Sequence, residues 1–73
     1  MTNTLLNHLR PVTLAQLIAE IINDHATEDS TGEFVFQTEE AKAAYNDLLT
    51  AGYRLVKEEY FWTLIEEALA KVN

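Results

Sequence analysis

Gly52-Tyr53-Arg54-Leu55-Val56-Lys57-Glu58-Glu59-Tyr60-Phe61-Trp62 is the stretch that decides the fold. From Glu59 to Val72, the residues Tyr60, Phe61, Trp62, Leu64, Ile65, Ala68, Leu69 and Val72 cover an arc of about 200° on a helical wheel. Thr63, Glu66, Glu67 and Ala70 fill the remainder. Running that helix backwards through Tyr53 places Leu55 and Val56 on its polar side. The clash of phase predicts a break near Lys57, with Tyr53-Arg54-Leu55-Val56 extended.

Upstream, Thr38 is a natural N-cap for a helix whose first turn carries Glu39 and Glu40, where negative charge suits the helix dipole. Its apolar arc is Ala41, Ala44, Tyr45, Leu48 and Leu49, and Gly52 stands where a left-handed residue would stop it. Glu33-Phe34-Val35-Phe36-Gln37 is aromatic and β-branched and reads as a strand. With one helix between them, residues 33–37 and 53–56 are expected to pair in parallel. Residues 26–33 are rich in turn formers and read as a loop.

Further back, Thr13-Leu14-Ala15-Gln16 has the form of a capping box, and Val12 and Leu17 are spaced as the accompanying hydrophobic staple. The helix it opens carries Leu14, Leu17, Ile18, Ile21, Ile22 and His25 on one side, with Glu20, Asp24 and Glu28 on the other. Leu5, Leu6 and Leu9 suggest a short helix before Pro11. The expected fold is mainly α (α+β): three to four short helices with a minimal two-stranded sheet from residues 33–37 and 53–56. An all-helical bundle is the alternative.

The 73 residues form one expected domain, 1–73, and a chain this short buries only about 60% of its unfolded surface. Twelve Asp and Glu against five Lys and Arg leave a net charge of −7. Such a chain is repelled by phosphate backbones and anionic lipid, which argues against direct nucleic-acid or membrane binding. The 48% apolar content is too high for a disordered acidic tail. No apolar run approaches the roughly 18–20 residues of a membrane span, and Met1-Thr2-Asn3-Thr4-Leu5 has no signal-peptide pattern. With no cysteine for disulfide staples, the cytoplasm is the expected compartment.

Chemistry-bearing patterns are sparse. His8 and His25 match no ligand spacing with Asp24 or Glu28, so no metal is expected. The hydroxyls between Thr27 and Thr31 and at Thr38 lie in no nucleophile elbow. Glu39-Glu40, Glu58-Glu59 and Glu66-Glu67 are adjacent residues that point about 100° apart on a helix and form no acid–base pair. Two glycines provide no phosphate-cradling loop. Neither enzymatic activity nor a cofactor is expected.

Leu48-Leu49-Thr50-Ala51-Gly52-Tyr53-Arg54-Leu55-Val56 resembles the helix-to-wing passage of a winged helix. That resemblance implies a DNA-binding regulator. The helix that would enter the major groove carries Glu39, Glu40, Lys42, Asn46 and Asp47, a set better suited to protein contact.

Two surfaces stand out. Glu20, Asp24, Glu28, Asp29 and Glu33 form an acidic run, with no Lys or Arg between Arg10 and Lys42. Such a run either solubilises the chain or meets a basic partner. The aromatic helix supplies the second, with Trp62, Leu69, Glu59 and Glu66 along one stripe, because its apolar arc exceeds the ~100° a surface helix needs. The expected function is that of a small acidic protein-interaction module, an inhibitor or regulator that blocks a basic, nucleic-acid-binding surface of a partner protein. In size and charge it is similar to phage and mobile-element proteins that disarm host defence. A self-associating, homodimeric structural or regulatory subunit is the alternative.

Overall fold

A computed structural model describes residues 10–72, so the helix expected around Leu5, Leu6 and Leu9, and His8 with it, lies outside the described residues. The element order is helix α1 (Pro11–His25), strands β1 (Ala26–Glu28) and β2 (Phe34–Phe36), helix α2 (Glu39–Leu55) and helix α3 (Glu58–Val72). The chain is mainly helical with one small antiparallel sheet.

Helix α1 begins at Pro11, whose missing N–H costs nothing in a first turn and whose fixed φ suits a helix. The residue before a proline is held extended, and Arg10 accordingly has φ −74° and ψ 151°; its carbonyl accepts the first helical bond from Leu14 N–H at 3.0 Å. The expected capping box therefore does not form. Proline starts the helix two residues before Thr13, which leaves Thr13 inside the first turn, and Val12 stays 49% exposed instead of stapling to Leu17. Leu14, Ala15, Ile18, Ala19 and Ile22 are buried, and Leu17 and Ile21 are half-buried. His25, expected on the apolar side, is exposed in the last turn.

The sheet differs from expectation in partner and direction. β2 pairs antiparallel with β1, in the register Ala26↔Phe36, Thr27↔Val35 and Glu28↔Phe34. Residues 26–28 were expected as loop, and residues 53–55 as strand are in fact the last turn of α2. A five-residue turn closes this hairpin locally, whereas the parallel alternative requires ordering a whole crossover first. Within the turn, Asp29 N–H donates to Glu33 O at 2.9 Å and Gly32 N–H to Asp29 O at 3.1 Å, with Gly32 at φ +87°. Alternation along β2 turns Phe34 and Phe36 inward and leaves Val35 51% exposed.

Thr38 caps α2 as expected, its Oγ1 accepting from Ala41 N–H at 3.1 Å. Gly52 does not end that helix, which continues for three more residues. Leu48, Ala51 and Gly52 are buried at the i, i+3, i+4 spacing of α2, and the helix runs on in that phase through residues 53–55, leaving Leu55 41% exposed in its last turn. Val56, at φ −143° and ψ 167°, makes the break, and α3 starts at Glu58, so the interruption near Lys57 is where the phase argument put it.

Helix α3 buries Phe61, Ile65 and Ala68 and half-buries Trp62, Leu64 and Leu69. It is not the centre of the fold. That position belongs to α1, which packs against both other helices, while α2 and α3 touch each other much less. Phe61, Leu14, Ile18 and Ile65 are the large side chains sealed in the core.

Candidate functional site

The hairpin follows α1 without a linker and leads directly into α2. Gln37 N–H donates to His25 O at 2.8 Å, which holds the end of α1 beside the start of α2. One end of the molecule therefore gathers the last turn of α1, the hairpin and the first turn of α2. Seven of the twelve acidic residues lie on this continuous path: Glu20, Asp24, Glu28, Asp29, Glu33, Glu39 and Glu40. All seven are exposed.

The five acidic residues of the sequence-derived run do not occupy one helix face. Glu20 and Asp24 are one turn apart on α1, but the helix ends at His25, and Glu28 is on β1. Glu28 thus reaches the same end of the molecule through the hairpin; its Oε2 stands 4.0 Å from where a Cβ on Gly32 would be. Asp29 and Glu33 bracket the turn.

Asp29 is occupied by its own loop. Its Oδ1 accepts from Thr31 Oγ1 at 2.6 Å, Thr31 N–H at 2.9 Å and Glu33 N–H at 3.0 Å. The Thr31 hydroxyl, followed by the Glu33 N–H, holds this carboxyl below the ordinary carboxylate range. Asp29 therefore shapes the turn that presents Glu28 and Glu33.

Beneath the acidic end lies an open hollow of about 240 Å³, lined by Ile22, Asn23, Ala26, Glu28, Phe34 and Leu69. Polar atoms make up most of its exposed lining. A second hollow, of about 160 Å³, lies between α1 and α3 around Val12, Gln16, Leu64 and Lys71. Both are smaller than the usual small-molecule pocket of about 300–1,000 Å³. Among the described residues, no three His, Asp or Glu side chains are grouped to hold a metal ion. Among the same residues, no helix is long and apolar enough to cross a membrane.

On α3, Glu59 and Glu66 are exposed, while Trp62 and Leu69 are half-buried. Trp62 has a partner within the chain: its Nε1 donates to Tyr53 Oη at 2.7 Å, a bond at the surface between α3 and α2. Tyr53 also meets Phe61 edge-on, with ring centroids 5.9 Å apart. Along the same side of α2, Tyr45 packs against Phe36 at 4.7 Å, and burial raises its hydroxyl pKa, with a smaller contribution from Tyr53. The aromatic that faces solvent on α3 is Tyr60, 56% exposed, two residues before Trp62. The sequence also gave no sign of Asn23, Ala26 and Phe34 as the wall of a hollow, because only the unforeseen hairpin brings Phe34 opposite Leu69.

No family model matches the chain, and no curated protein or solved structure matches it either.

Proposed function

We propose that this protein is a cytoplasmic protein-interaction module that acts by occupancy and carries out no reaction of its own. Its acidic end covers a basic, nucleic-acid-binding surface of a partner protein, so that nucleic acid and this protein compete for one site. In this it is analogous to phage and mobile-element inhibitors of host defence. The observation that carries the proposal is the convergence of α1, the hairpin and the start of α2, which brings seven exposed carboxylates to a stretch that contains neither Lys nor Arg. Solubility alone needs net charge but not its concentration in one place. Like-signed clustering, by contrast, steers and orients encounter with a surface of opposite sign.

The test is capture of partners from an extract of the native host at low salt, with and without excess duplex DNA or RNA. A basic nucleic-acid-binding protein that is retained, and is displaced by the competitor, supports occupancy. Retention that is indifferent to nucleic acid and to salt sinks it.

A further inference from the structure

We propose that a second copy of this chain docks on the flank of α3 that adjoins the start of α1, forming a symmetric dimer. On that flank Tyr60 is 56% exposed, and Leu64, one turn further on, is half-buried. Val12, 49% exposed, meets Leu64 in the hollow of about 160 Å³ between α1 and α3. Apolar atoms make up the larger part of its exposed lining, and Glu67 and Lys71 line it too. A dry cavity of about 150 Å³ takes a benzene ring, so a tyrosine ring fits a hollow of this size.

The charge pattern of α3 selects the occupant. Lys57, Tyr60, Leu64 and Glu67 recur at helical spacing and form one stripe. Lys57 belongs to it because its carbonyl accepts the first bond of α3, from Phe61 N–H at 2.9 Å. Laid antiparallel against itself, with a two-fold axis at the level of Trp62, the stripe sets Tyr60 opposite Leu64 and Lys57 opposite Glu67, and symmetry repeats both pairs. The Tyr60 ring then enters the hollow of the other copy beside Leu64, and Lys57 reaches the Glu67 carboxylate there. Within one chain Lys57 and Glu67 stand about 15 Å apart along the helix, too far to pair. The opposite exposed flank, Glu59, Thr63, Glu66 and Ala70, offers carboxylates alone to a copy of a chain that carries −7. A short chain with no disulfide also gains stability from association. The hollow involves the first turns of α1 and the hairpin follows its last, so the dimer leaves both hairpins open.

The experiment is sedimentation equilibrium of the full chain at physiological ionic strength, from micromolar concentration to about 1 mM, where a monomer–dimer equilibrium is expected. Tyr60→Ser should weaken the dimer at least about tenfold, as loss of a central aromatic anchor does. Lys57→Glu and Glu67→Lys should each weaken it at least about threefold. Both together in one chain keep the net charge at −7 and should restore it, as should mixing the two single variants. Glu59→Lys, the same charge change off the stripe, should not weaken it. All four positions are exposed, and unchanged helical circular dichroism checks that each variant keeps the fold. A monomer up to about 1 mM overturns the dimer and leaves the face to a different protein or to none. A dimer indifferent to Tyr60→Ser, or one that the charge swap does not restore, overturns this face and this pairing. Neither result touches the acidic end, which stands on other residues.

Discussion

Gly52 and Phe61 share one space. A Cβ built on Gly52 would lie 2.2 Å from both Cε2 and Cζ of the Phe61 ring, so the first side chain of α3's buried stripe rests directly on the backbone of α2. The two helices otherwise touch little. The contact explains a glycine in the interior of a helix, where glycine ordinarily costs about 1 kcal/mol relative to alanine.

Gly52→Ala should therefore destabilise the protein, although alanine is the better helix former. The Phe61 ring is fully buried and has nowhere to move, and overpacking of this kind costs about 1–3 kcal/mol. Urea denaturation is the check. Phe61→Leu should recover part of the loss in the double variant, because the smaller side chain vacates the site. Additive effects of the two substitutions would deny that they meet.

The two threonines at helix starts should behave differently. Thr38→Ala removes the acceptor of the Ala41 N–H bond and should cost about 1 kcal/mol. Thr13→Ala, inside a helix already begun by Pro11, should change stability by less than about 0.5 kcal/mol. Equal shifts of the urea midpoint would move the start of α1 back to Thr13.

These two residues also show what the sequence could and could not disclose. Thr38 was legible because its cap, the acidic first turn and the apolar arc are all local and agree. Thr13 was misread because two start signals overlap and Pro11, the earlier one, prevails. Gly52 has two uses in a helix, ending it or admitting a close neighbour, and only Phe61 distinguishes them. β1 was missed because Ala26-Thr27-Glu28 has no strong strand propensity; Asp29 and the Gln37–His25 bond form it from outside. The acidic residues were visible one by one, but their placement at one end of the molecule depends on that hairpin.

Asp29 predicts a pH dependence of definite sign. Three donors stabilise the ionised carboxylate in the folded chain, and its pKa is lowered from 3.8. The stability it contributes is present above that unfolded value and is lost as pH falls through the lower folded value. Asp29→Ala should therefore be less stable than the natural chain at pH 7, and the gap should close below about pH 4, where the carboxylate reference pKa lies. Urea midpoints of the two proteins, measured in parallel from pH 7 to pH 2, isolate this group from the carboxylates they share. A gap that is constant across the range would mean that the Asp29 charge does not hold the turn.

Trp62 reports on its own bond to Tyr53. It is the only tryptophan in the chain, so emission can be assigned to it directly. Tyr53→Phe removes the acceptor of the 2.7 Å bond and should cost about 0.5–1.5 kcal/mol while changing Trp62 emission. Unchanged emission and stability would show that the indole does not rely on that hydroxyl.

The contact surface is tested most directly by moving the same charge change to two places. One variant reverses Glu20, Asp24 and Glu28 to Lys, and the control reverses Glu59, Glu66 and Glu67; all six are exposed, so both should keep the fold. The measurement is the association rate with the captured basic partner across a range of salt. The first variant should associate at least about tenfold more slowly at low salt and lose most of the salt dependence, with the control close to the natural protein. Equal rates for all three proteins at low salt would contradict the account and leave the acidity with only a solubilising role.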